Sequence, residues 1–149
     1  MTFAHDGLRD SFTHLAAPPY FYENLRRELG IAERNKSRIS LIKFLIKADV
    51  TATSISDSHY EAAILSFAEI LKASIRSEDL CARLGRLEFT LIIKASQEMA
   101  ISLAERVINS WEMQNFDCSY SVLAVHLGES PLEILNRLDN QELHSATMS

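Results

Sequence analysis

Residues 76–94 read RSEDLCARLGRLEFTLIIK. Two apolar segments of strand length, Leu80–Leu84 and Phe89–Lys94, stand on either side of Gly85. A link this short predicts an antiparallel hairpin. Upstream, Ile64, Phe67, Ala68, Leu71 and Ile75 recur at helical spacing, which predicts an amphipathic helix stopping near Arg76. Ser58-His59-Tyr60-Glu61 has the form of a capping box at its start. Downstream, Ala100, Leu103, Ala104, Val107, Ile108 and Trp111 mark a second such helix, and Trp111 on that stripe is read as core.

Further out, ISLIKFLI at residues 39–46 lacks alternation. It reads as a central strand covered on both faces. Cys118 to His126 reads as another strand. A helix opens at Pro18-Pro19, where a missing N–H is harmless, and carries Phe21, Leu25 and Leu29 inward. Gly30 weakens its end, and Asn35-Lys36-Ser37 is a polar break. Ser130-Pro131-Leu132-Glu133 is a second capping box, followed by Ile134, Leu135 and Leu138. After the N-terminal helix the order is strand–helix–strand–strand–helix–strand, the ferredoxin-like split βαβ pattern of an α+β fold. Right-handed crossovers place the first and third strands centrally and the second and fourth at opposite edges. Cys81 and Cys118 then lie too far apart for a disulfide.

The 149 residues are expected to form one domain, 1–149, with 47% hydrophobic and 23% charged residues. That excludes disordered, coiled-coil and fibrous classes. Apolar runs are too short for a membrane span, and the N-terminus shows no secretory pattern. The formal charge of −5 argues against duplex nucleic acid or an anionic membrane as main partner. Cys81 and Cys118 match no metal or redox spacing and read as buried thiols in a reducing cytoplasm. The five histidines lack metal spacing, and no glycine-rich phosphate loop occurs. Arg26-Arg27, Lys36 and Arg38 read as a solvated face.

The stretch Arg76–Phe89 resembles the signature region of GGDEF domains, the diguanylate cyclase family: an R-x-x-D, a strand ending in Arg, then a hairpin motif that here reads GRLEF. Asp10–Leu15 is similar to the family's D-x-L-T-G-L opening. Phe21, Leu25, Ala32 and Arg34 follow its first helix, and Ala104-Glu105-Arg106 follows the A-E-R of the helix after the hairpin. Tyr120-Ser121-Val122 with Ala124 is similar to its V-S-I-G-V strand, and Leu135, Arg137 and Asp139 to its L-x-x-R-A-D helix. The resemblance covers residues 10–143. It implies a nucleotidyl-cyclase-like antiparallel sheet with helices packed on it.

The resemblance also implies an activity: joining two GTP molecules, one per subunit of a dimer, into cyclic di-GMP with divalent metals. Here the hairpin Gly85, Arg86, Leu87, Glu88, Phe89 departs from the family. The third position, a metal carboxylate in the family, is Leu87. Arg86 replaces the second glycine, where the nucleotide approaches closely. Residues 39–48 hold no acid, and Asp49 is the nearby carboxylate. The family's guanine-reading Asn and Asp fall near Ala52 and Glu61, and its basic tail is absent. The expectation is therefore no enzyme, no metal and no cofactor, since these metals need hard oxygen ligands.

What the resemblance retains is Arg76-Ser77-Glu78-Asp79, with five residues between Asp79 and Gly85, the offset of the family's inhibitory site for cyclic di-GMP. A guanidinium fork suits guanine or phosphate, and a carboxylate suits guanine N–H groups. The leading expectation is a silent regulatory domain binding cyclic di-GMP through Arg76 and Asp79, with a protein partner and a homodimer among its assemblies. The alternatives are an interaction or dimerisation module that binds no nucleotide, and, behind it, a residual cyclase. On a structural reading, Arg76 only favours a helix C-terminus and Asp79 only closes a turn.

Overall fold

A computed structural model of the chain describes residues 5–49 and 54–145. The elements run α1 (Pro18–Asn35), β1 (Ser40–Ala48), α2 (Asp57–Ser74), β2 (Leu80–Gly85), β3 (Glu88–Ile93), α3 (Gln97–Ser110), β4 (Phe116–Ala124), α4 (Pro131–Asp139) and β5 (His144–Ser145). The sheet is antiparallel, in the order β2-β3-β1-β4-β5. β1 and β3 are central, as the crossover rule requires.

Each face of the sheet has its own core. Ile42, Phe44 and Ile46 of β1 pack with Phe89, Leu91 and Ile93 of β3 beneath α2 and α3, around Phe67 and Leu71. Leu41, Ile92 and Leu123 meet Phe21 and Leu25 of α1 and Ile134 and Leu138 of α4 on the other face. Burial on both sides explains the unbroken apolar run of β1. Each fully buried Phe or Leu contributes about 1.5–3 kcal/mol relative to exposure. Trp111 is buried, but as the residue closing α3 rather than within its stripe. Its indole N–H donates to Ser66 Oγ at 2.9 Å.

Several boundaries differ from the sequence expectation. α2 is capped by Ser56, whose Oγ accepts from His59 N, so Ser58 and Glu61 form no capping box. Both serines suit the role, and the extended backbone at Ser56 decides it. Ser130 and Glu133 do form the predicted box. α1 continues through Gly30 and ends at the predicted polar break, with Lys36 in left-handed conformation (φ 56°). One internal glycine costs only about 1 kcal/mol against an apolar stripe this well buried. β4 runs from Phe116 to Ala124, beginning and ending before the predicted span.

β4 is also not an edge, because His144 and Ser145 pair with Tyr120 and Ser119. Two residues are too few to show a period. Cys81 and Cys118 remain separated by β3 and β1, and both are free and buried. Burial pushes both thiols up, Cys118 to about 12.

Residues 5–17, which carry no helical or strand period, cross the outer side of β2. Ala16 bridges Ala82 in parallel, with Ala16 N donating to Cys81 O and Arg83 N donating to Ala16 O. Asp10, fully buried, accepts from Thr13 N and Oγ1 at 2.7 Å. His14 takes φ 64° where the family pattern has glycine.

Candidate functional site

The signature hairpin is held from beneath by Arg83. Its Nη1 donates to both Asp10 oxygens at 3.1–3.2 Å, and its Nε and Nη2 donate to the Arg86 carbonyl at 3.3 and 2.9 Å. Both partners of the ion pair are almost fully buried. Gly85 is favoured by contact rather than φ: a Cβ there would lie a tight 3.3 Å from Glu88 Cβ.

Above the turn, the side chains close on α2. The Arg86 guanidinium stands 4.6 Å from the Tyr60 ring centre, a cation–π contact. Tyr60 meets Phe116 edge-on, and His59 Nε2 lies 3.0 Å from Gln114 O. Leu87 packs against the core beneath α2 and α3, while its carbonyl accepts from Ile46 N. Phe89 is fully buried in that core.

Glu88, the surviving acid, serves the opposite face. Burial raises its pKa, Lys43 opposes that rise and Asp139 adds to it. Lys43 itself pairs with Asp139 at 3.1 Å. A leucine side chain offers no oxygen to a cation. Among the described residues, no three His, Cys, Asp or Glu side chains are placed to hold a metal ion. Glu61 is an exposed residue of α2, and Ala52 lies outside the described residues.

The turn before the hairpin is different. Asp79 closes it: Oδ2 accepts from Arg76 N at 3.2 Å, Oδ1 accepts from Lys94 N at 3.1 Å, and Asp79 N donates to Arg76 O. The Asp79 side chain is 3% exposed and that of Arg76 is 56% exposed. Arg76 Nε lies 3.5 Å from Glu78 and 4.0 Å from Asp79. Arg76 and Asp79 therefore do come together, with the carboxylate already serving two backbone donors.

This turn borders an open pocket of about 400 Å³ between the ends of α2 and α3, lined by Arg76, Asp79, Ile93, Met99, Ser102 and Arg106 among others. Its volume lies in the range of small-molecule sites. Arg106 brings a second guanidinium to the same concavity. Sequence reasoning gave it no role, although Met99, Ser102, Leu103 and Arg106 recur at i, i+3, i+4, i+7 and so share the face of α3 that meets this pocket.

Residues 7–130 match the family described as "Diguanylate cyclase, GGDEF domain", and the chain belongs to this family. It is 24% identical to the diguanylate cyclase DgcS of Shewanella oneidensis over 139 residues, 91% of this chain and 45% of that protein. The chain thus spans under half the length of that relative. Its fold is similar to that of a microbial GGDEF domain described in a new mode of interaction with cyclic di-GMP, with TM-score 0.78, 18% identity, and 89% and 85% of the two chains covered. It is also similar to the diguanylate cyclase SiaD of Pseudomonas aeruginosa in complex with its activator SiaC, with TM-score 0.73, 22% identity, and 88% of this chain and 55% of that one covered. The described residues contain no helix long and apolar enough to cross a membrane.

Proposed function

We propose that this GGDEF domain is catalytically silent, binds cyclic di-GMP in the pocket of Arg76, Asp79 and Arg106, and passes the state of that pocket to a protein partner in the cytoplasm. The observation that carries the reading is the pairing of an open two-arginine pocket with a hairpin whose metal position is Leu87. Cyclic di-GMP carries two phosphates and two guanines, and paired guanidinium forks suit both groups. Phosphoryl transfer depends on positioning and on metal charge neutralisation, and Leu87 at the hairpin's metal position offers no ligand. Arg86 stacked on Tyr60 occupies the place where a glycine lets a nucleotide approach.

Calorimetric titration tests this. Cyclic di-GMP should bind with micromolar affinity or better, GTP with Mg²⁺ should not bind, and incubation with GTP and Mg²⁺ or Mn²⁺ should yield no cyclic dinucleotide. Turnover would overturn the silent reading. The second reading, an interaction or dimerisation module without nucleotide, draws on the commitment of Asp79 to two backbone donors. It takes the lead if neither nucleotide binds.

A further inference from the structure

The geometry points to a second pocket, on the reverse side of the Arg76 turn, that binds the phosphate group of a small anion. It holds about 480 Å³, and Arg9, His14, Tyr20, Lys72, Arg76 and Ser77 stand in its wall. The reading goes beyond the dinucleotide proposal, because Arg9 and Lys72 have no part in the pocket of Arg106.

Charge is the first observation. In a chain with net charge −5, three cations converge on one concavity. The one carboxylate in its wall, Asp79, is buried and turned to two backbone N–H groups. The field of Lys72 reaches the floor, where it opposes the rise that burial imposes on the Cys81 thiol.

Spare donor capacity is the second. Arg9 Nη1 donates to His14 O at 3.4 Å, one of five guanidinium N–H groups. The positive φ of His14 belongs to the turn that brings this carbonyl to Arg9. Lys72 pairs with Glu69 at 3.1 Å and Arg76 with Glu78 at 3.5 Å, both on the exposed surface. Exposed pairs of this kind are worth about 0.2–1 kcal/mol, so a dianion facing three cations displaces them readily. The Tyr20 and Ser77 hydroxyls and the His14 ring add further donors around a phosphate. Nucleotide phosphate and free phosphate share this chemistry.

Amide shifts of ¹⁵N-labelled full chain at constant ionic strength decide the matter, with inorganic phosphate and adenosine 5′-monophosphate as probes. Saturable shifts are expected at residues 9–15 and 75–77. Tighter binding of the monophosphate would assign a nucleotide, and equal binding the phosphate alone. Arg9→Gln and Lys72→Met, both at exposed positions, should each weaken phosphate binding about twofold to fivefold, the scale of an exposed ion pair. Cyclic di-GMP affinity should stay unchanged in both. Arg76→Ala should weaken phosphate binding as well. The inference fails if no saturable shift appears, if the Arg9→Gln/Lys72→Met double variant binds phosphate as wild type does, or if the shifts fall on Ser102–Arg106 instead.

Discussion

The Arg76–Asp79 turn and the Gly85–Glu88 turn cap opposite ends of the same six-residue strand, yet their side chains are spent differently. At the hairpin most groups are engaged internally: Arg83 ties the Arg86 carbonyl to Asp10, Arg86 covers Tyr60, Leu87 packs against the core, and Glu88 is half-buried in the field of Lys43. At the earlier turn Asp79 serves two backbone donors, and Arg76, in an exposed pair with Glu78, borders an open pocket beside Arg106. One turn of this domain is thus packed into its surroundings while its neighbour borders an open pocket.

The strongest way to break this contrast is Asp10→Ala. It leaves the buried Arg83 charge without its carboxylate, which costs about 3–5 kcal/mol. Urea unfolding should show a midpoint fall of that size, and Asp10→Leu with Arg83→Met should recover much of it. An unchanged midpoint in the single variant would mean that the hairpin is not held by this pair.

Next in size is Arg76→Ala. Loss of a charge-assisted contact worth about 1.5–3 kcal/mol should weaken cyclic di-GMP binding about tenfold to a hundredfold. The melting temperature without ligand should hardly move, because the turn is closed by the Asp79 carboxylate and backbone groups. Binding unaffected by the substitution would place the ligand elsewhere.

Arg86→Gly with Leu87→Asp sharpens the other half. It removes a cation–π contact of about 0.5–1 kcal/mol and restores the hairpin motif. No cyclase activity is expected from an assay with GTP and Mn²⁺, since residues 39–48 still lack a second carboxylate. Activity in this variant would assign that role to Asp49.

The smallest effect is at Glu88. Burial raises its folded pKa above 4.5, so the ionised form costs the fold stability once pH rises through that range. Glu88→Gln should therefore melt slightly higher than wild type at about pH 7, and the gap should close towards about pH 4. A Gln variant less stable at neutral pH would show that the Lys43 attraction outweighs burial.

The strand order and both cores could be read from apolar periodicity, because a strand covered on both faces and a striped helix each leave a local pattern. The split of roles between the two turns was half readable. The departure of Arg86 and Leu87 from the family motif is visible in residue type alone, whereas the second backbone bond of Asp79 comes from Lys94, fifteen residues away. Arg106 was missed because its partner across the pocket, Arg76, sits thirty positions upstream on another element. The cap at Ser56 turned on backbone dihedrals rather than side-chain chemistry, and β5 was too short to carry a pattern.

The strap of residues 5–17 has a consequence for solubility. β2 is the outermost strand beside β3, and an uncovered strand edge is a template for pairing with another chain. Ala16 occupies Cys81 O and Arg83 N, so the strap takes the place that a foreign strand would seek. A chain trimmed to begin at Pro18 should therefore lose more than the Asp10 ion pair: it should self-associate through β2, with light scattering rising with concentration where the full chain stays clear.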